Sequence, residues 1–179
     1  MSSLKDLIAK IFPEECIIDG TSYSEKGKCF SLRPSHNEEV VLIKIDNDHN
    51  DPCQYFKEIN PKCDLLCICK IDSRFFILFI ELKGSDIDHA LKQINNTFNY
   101  FCYDPNKSNY HPKKNFPFSH EKKIYGIIIS VQGLSLKQKE KKKLRKKQSQ
   151  SKKKEKISFK RFKPQEIKGW TCSQLLKKF

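Results

Sequence analysis

Residues 62–86, KCDLLCICKIDSRFFILFIELKGSD, constrain the fold of this chain more than any other stretch. Two apolar runs, 63–71 and 74–83, flank Asp72-Ser73. Each is apolar enough to be covered on both faces, as inner strands are. Burying a carboxylate among such residues is costly unless it is satisfied there. Yet Asp64 stands near the start of the first run, and Glu81 and Lys83 near the end of the second.

A hairpin centred on Asp72-Ser73 explains the placement. It pairs Ile71 with Arg74 and Lys70 with Phe75, and carried outward it sets Asp64 opposite Glu81. Directly opposed residues share a face, with Cβ atoms roughly 5 Å apart. Lys83, two residues beyond Glu81, falls on that face too. The rest of the face is Leu66, Ile68, Phe75, Ile77 and Phe79, so the charged end opens at the rim of a core. Two facing carboxylates repel. A divalent cation reconciles them, and Mg²⁺ is commonly held by one or two carboxylates while keeping waters and substrate phosphate oxygens. Slipping the register by one residue would move Asp64 to the other face, so the reading stands on the register.

Other segments complete an α/β pattern. Leu4, Leu7, Ile8 and Ile11 have helical spacing over residues 3–12, ended by Pro13. Residues 28–33 and 39–46 read as strands, followed by a polar loop. After Gly84, Ser85 and Asp88 have capping-box spacing. Ile87, Ala90, Leu91, Ile94, Phe98 and Phe101 then form the stripe of an amphipathic helix that Asp104-Pro105 ends. Residues 124–131 read as a strand covered on both faces, 156–162 as a late strand, and 166–179 as a closing short helix. Strands, a helix and a further buried strand predict a single mixed α/β sandwich over residues 1–179.

No run of about 18 apolar residues exists, so no membrane span is expected. The first residues lack a signal-peptide core with a small-residue cleavage site, which reads as a cytoplasmic chain. Eight cysteines in that setting are expected to be free thiols. Cys63, Cys67 and Cys69 are expected on one strand face, with Cys53 upstream, a spacing that suits buried hydrophobes better than zinc. The five histidines (36, 49, 89, 111 and 120) have no metal-binding spacing, and His89 reads as a surface residue.

The Cys-Asp pair, the long apolar hairpin, the Glu-Leu-Lys element and the helix after it resemble the PD-(D/E)XK nucleases over residues 40–132. The resemblance implies a restriction-endonuclease-like core, a central mixed β-sheet flanked by helices, with a metal-dependent phosphodiesterase site. By position, Asp64 matches the first motif acid, Glu81 and Lys83 the ExK element, and Gln93 a polar residue that many members carry on the helix. Cys63 stands where the family name has Pro. Asp6, Glu14 and Glu15 are the candidates for an N-terminal helix acid. The implied site holds Mg²⁺, with Mn²⁺ as a substitute, on Asp64, Glu81 and the backbone carbonyl of Leu82. Lys83 would orient the attacking water and stabilise transition-state charge, and Gln93 would be a positioning group behind the ligands. The implied activity is a small endonuclease acting on nucleic acid, DNA more than RNA, in restriction, anti-phage defence or repair. The alternative is a catalytically inactive nuclease-fold subunit that binds nucleic acid or scaffolds a complex.

Charge distribution points to the same partner. The net charge is +14, but residues 137–163 hold 15 Lys or Arg and only two acids. The remaining 152 residues are almost neutral, with 20 bases and 19 acids. Lys141, Lys142, Lys143, Arg145, Lys146, Lys147, Lys152, Lys153 and Lys154 are the expected contacts to a phosphate backbone, where binding is driven by counterion release. The segment has no aromatic residue before Phe159, so base stacking is not expected. So short a chain leaves little room for a recognition domain, which makes a protein partner or a homodimer the expected source of specificity.

Overall fold

A computed structural model describes residues 3–25, 27–46, 53, 56–83, 86–102, 123–130 and 157–179. The expected basic contacts Lys141 to Lys154 lie outside them, as do Ser85 and Asp104-Pro105.

The described elements, in chain order, are helix α1 (Leu4–Ala9), a 3₁₀ turn (Glu14–Cys16) and strands β1 (Ile17–Ile18), β2 (Ser22–Glu25), β3 (Lys28–Ser31) and β4 (Glu38–Lys44). They continue with β5 (Leu65–Ile71), β6 (Arg74–Lys83), α2 (Ile87–Cys102), β7 (Lys123–Ser130), β8 (Ser158–Phe162), α3 (Pro164–Ile167) and α4 (Cys172–Leu176). Six strands form one mixed sheet in the order β1-β4-β5-β6-β7-β8, and β2 and β3 form a separate hairpin. The β1–β4, β4–β5 and β5–β6 pairs are antiparallel, and β6–β7 and β7–β8 are parallel. A parallel pair needs a long crossover, and α2 lies in the one between β6 and β7.

The hairpin has the register expected from its sequence. Ile71 pairs with Arg74, and the ladder runs outward to Leu65 with Ile80. Asp72 turns the chain at φ 54°, a region that Asp tolerates better than most residues. Its backbone N–H donates to the Asn37 carbonyl, and its carboxylate accepts from Asn37 Nδ2 at 3.1 Å, so the turn is stitched to the loop before β4.

Alternation along the strands separates two cores. On one face Val41, Ile43, Leu66, Ile68, Ile77, Phe79, Ile124 and Ile128 pack under α1 and α2. The whole α2 stripe is buried there, at about 2 kcal/mol for each large apolar side chain removed from water. The Phe101 ring meets Phe56, Phe79 and Phe12 at centroid distances of 5.7, 6.0 and 6.1 Å, joining helix, loop and sheet. The other face carries Leu42, Leu65, Cys67, Cys69, Leu78, Ile80, Ile127 and Ile129 under Phe30, Ile167, Cys172 and Leu175. On β7, Gly126 lies opposite Phe159 of β8, and that ring fills the space a Cβ would need.

Four local expectations change. The cap of α2 is Asp86, whose Oδ1 accepts from the His89 N–H at 2.9 Å, one residue later than the Ser85 spacing suggests. The closing helix is two short ones, because Gly169 adopts φ 77° between them and Thr171 then caps α4. Cys63 belongs to the core under α2, not to the face of Cys67 and Cys69, because it precedes β5 and the strand alternation does not extend back to it. The free-thiol expectation fails at two positions: Cys16 and Cys53, 37 residues apart, form a disulfide. No sequence spacing signals that pair; β1 and β4 bring it together.

Candidate metal site

The site is built where the β5–β6 ladder runs out. Leu65 and Ile80 are the last paired residues, and Asp64 and Glu81 are the next residues outward on their chains. Glu81 follows Phe79 by two, which puts it on the α2 face, and it is fully buried. Asp64, just before β5, is 7% exposed. Asp64 is not a further rung of the ladder with β6. Its backbone carbonyl accepts from the Ile45 and Asp46 N–H groups, extending the pairing with β4. Toward β6 its side chain takes over, and Oδ2 accepts from the Leu82 N–H. The carboxylate is thereby fixed on the peptide that joins Glu81 to Leu82.

Cys63, the residue before Asp64, is fully buried. Its thiol is pushed up by burial, and then by the charges of Glu81 and Asp64, against the opposing pull of the Thr97 hydroxyl. Its Sγ lies 3.4 Å from the Leu65 carbonyl oxygen.

The helix α2 supplies the polar floor. Gln93, 5% exposed, donates from Nε2 to the Lys62 carbonyl at 2.7 Å. It therefore stands at the open end with Asp64 and Glu81, holding backbone. Lys62 turns its amine toward the Phe56 carbonyl at 3.4 Å and Asp46 Oδ1 at 3.9 Å. Lys83 ends β6 with Ser130 as its partner on β7; its side chain lies outside the described atoms.

None of the three candidate N-terminal acids joins this group. Asp6 closes a capping box with Ser3 at the start of α1, beside Glu39, which accepts from the Leu4 N–H. Glu39 pairs with Lys70 near the turn end of the hairpin, six residues and roughly 20 Å from Asp64 along β5. Glu14 and Glu15 are exposed on the turn that leads into β1, with β4 and β5 between that strand and β6. His89 is exposed, as expected.

Among the described residues no three His, Cys, Asp or Glu side chains are arranged to hold a metal ion together. Two carboxylates and the Leu82 carbonyl fit Mg²⁺ in kind, because that ion takes few protein oxygens and completes its shell from water and phosphate. Sequence reasoning missed Asn96 and Thr97. Thr97 stands four residues after Gln93, and that i, i+4 polar pair beside an apolar stripe was the available signal.

No helix among the described residues is long and apolar enough to cross a membrane. Comparison with known proteins gives no match: no family model, no curated protein and no solved structure corresponds to this chain.

Proposed function

We propose that this protein is a Mg²⁺-dependent nuclease of the PD-(D/E)XK kind, hydrolysing phosphodiester bonds of nucleic acid, DNA more than RNA, in restriction, anti-phage defence or repair. The observation that carries the reading is the bond from the Leu82 N–H to the Asp64 carboxylate. It ties the acid that precedes β5 to the Glu81-Leu82 peptide on β6, and Glu81 is fully buried. Asp64, Glu81 and the Leu82 carbonyl would hold the cation, Mn²⁺ serving in place of Mg²⁺. Such an ion polarises a phosphodiester and lowers the pKa of a coordinated water. Lys83 would orient the attacking water and offset negative charge in the transition state. Gln93 acts at one remove, through the Lys62 carbonyl. The excess of Lys and Arg in residues 137–163 supports a polyanionic substrate.

The test is cleavage of labelled DNA and RNA by the purified chain with Mg²⁺. Glu81→Ala and Lys83→Ala should each lower the rate by about 10²-fold or more. Undiminished cleavage by either folded variant rejects the assignment.

One observation favours a second reading, an inactive nuclease-fold subunit that binds nucleic acid or scaffolds a complex. Glu81 is fully buried and Asp64 nearly so, which leaves little of either carboxylate open to a phosphodiester. Calorimetry separates the two. An active site takes up Mn²⁺ in an Asp64- and Glu81-dependent way, and an inactive subunit does not.

A further inference from the structure

The residues that lead into Asp64 are held by a helix rather than by β6. Pro61, Lys62 and Cys63 precede the β5–β6 ladder, and each gives a backbone group to α2. Asn96 Nδ2 donates to the Pro61 carbonyl at 2.7 Å, and Gln93 Nε2 donates to the Lys62 carbonyl at 2.7 Å. The Cys63 N–H donates to Thr97 Oγ1 at 2.9 Å. That hydroxyl donates in turn to the Gln93 carbonyl at 2.9 Å. A single buried oxygen thus joins the backbone of the helix to the residue before Asp64. The start of α2 follows Lys83 with three residues between them. One helix is therefore tied through the chain to the strand of Glu81 and clamped to the entry of the strand next to it.

We infer that Asn96 and Thr97 are positioning residues for a divalent cation held by Asp64 and Glu81, and that they act through the backbone of Pro61 to Cys63. The inference rests on the metal-site reading given above. Mg²⁺ demands near-ideal octahedral geometry, so a small displacement of Asp64 relative to Glu81 is felt directly in affinity. Groups behind the ligands of metal sites commonly control affinity by 10–100-fold. Without the Thr97 hydroxyl, the buried Cys63 N–H loses its acceptor, and the segment must shift to recover one.

The experiment measures Mn²⁺ binding to the full chain by calorimetry, for wild type, Glu81→Gln, Thr97→Ser, Thr97→Val and Asn96→Leu, with a thermal melt of each to establish folding. Thr97→Ser keeps the hydroxyl and should bind within about twofold of wild type, while Thr97→Val should bind about tenfold more weakly or worse. A purely structural role would lower the melting temperature of Thr97→Val and leave the affinity of the folded protein unchanged. That result overturns the positioning role and leaves the metal site standing. Wild-type binding that is absent, or insensitive to Glu81→Gln, overturns the metal site and the positioning role with it. If Thr97→Val does not fold, Asn96→Leu at its half-buried position decides. Affinity lowered by about threefold or more supports the clamp, and unchanged affinity rejects it.

Discussion

The two ends of the β4–β5–β6 ribbon treat their carboxylates in opposite ways. At the turn end Glu39 faces Lys70 across the strands, and the two form an ion pair. Beside it, Glu38 is 6% exposed and accepts four hydrogen bonds, from the N–H groups of Ser35, Cys172 and Ser173 and from the Ser173 hydroxyl. At the open end Asp64 accepts from the Leu82 N–H, and the fully buried Glu81 is the residue before Leu82. Stability alone favours the first arrangement, since an opposite charge or several donors satisfy a carboxylate held in a sheet, and two acids gathered at one end add repulsion. The second is what the proposed cation site requires. The difference predicts that substituting the open-end carboxylates costs activity and substituting the turn-end carboxylates costs stability.

Asp64→Asn breaks or upholds that contrast most sharply. Asparagine keeps a carbonyl oxygen for the Leu82 N–H and removes one of two neighbouring charges. Cleavage in Mg²⁺ should fall by about 10³-fold, while the melting temperature stays at or above that of wild type. A variant that melts early and still cleaves would place Asp64 among the structural acids.

The next effect is on stability and belongs to the open end, which uses a covalent link where the turn end uses charge. Cys16 lies just before β1, and the Cys53 sulfur is 3.8 Å from the carbonyl oxygen of Lys44, the last residue of β4. The 37-residue separation sets the chain entropy that the link removes from the unfolded state. Cys16→Ser should therefore lower the unfolding free energy by about 4 kcal/mol in urea, compared under non-reducing conditions. Reduction of wild type should reproduce most of that loss.

Much of this architecture was readable in the residues, and the failures have physical causes. The hairpin register followed from two apolar runs around Asp72-Ser73, because a slip by one would move every side chain of a strand to the opposite face. The α2 stripe followed from Ile87 to Phe101 at helical spacing. The pairing of Asp64 with Glu81 was read as a rung and is instead a side chain bonded to the Leu82 N–H. Alternation describes strands and says nothing of the residue before one begins. The same limit misassigned Cys63. The disulfide, and the clamp from Asn96 and Thr97, join residues 34 to 37 apart in sequence that only tertiary packing brings together.

Glu38 gives the intermediate effect. Burial works against its ionisation, but the Ser173 hydroxyl and the N–H groups of Ser35, Ser173 and Cys172 outweigh it and hold the carboxyl below its ordinary value of 4.5. Glutamine would turn an amide N–H₂ toward those donors, so Glu38→Gln should cost about 2 kcal/mol near neutral pH. A folded-state pKa lowered below the unfolded value stabilises fully above the unfolded value, and the contribution fades as pH falls through the folded one. The gap between wild type and Glu38→Gln in urea titrations should thus be constant above about pH 5 and close below pH 4.5. A gap that widens in acid would reverse the sign and reject the assignment.

The smallest effect tests whether the Glu39–Lys70 pair is as ordinary as the comparison requires. Its side chains are 39% and 22% exposed, so water and salt screen the attraction and the coupling should be about 0.5 kcal/mol. The two partners are not equivalent, because Glu39 also accepts from the Leu4 N–H at the first turn of α1. Glu39→Ala should therefore cost more than Lys70→Ala, by roughly the 1 kcal/mol of a lost helix cap. A double-mutant cycle isolates the pair term, which should shrink further in 0.5 M salt. Neither change should alter Mg²⁺-dependent cleavage, since roughly 20 Å of strand separates the pair from Asp64. A cleavage defect in folded Lys70→Ala would mean that charge at the turn end is felt at the open end, and the two ends could no longer be treated as separate.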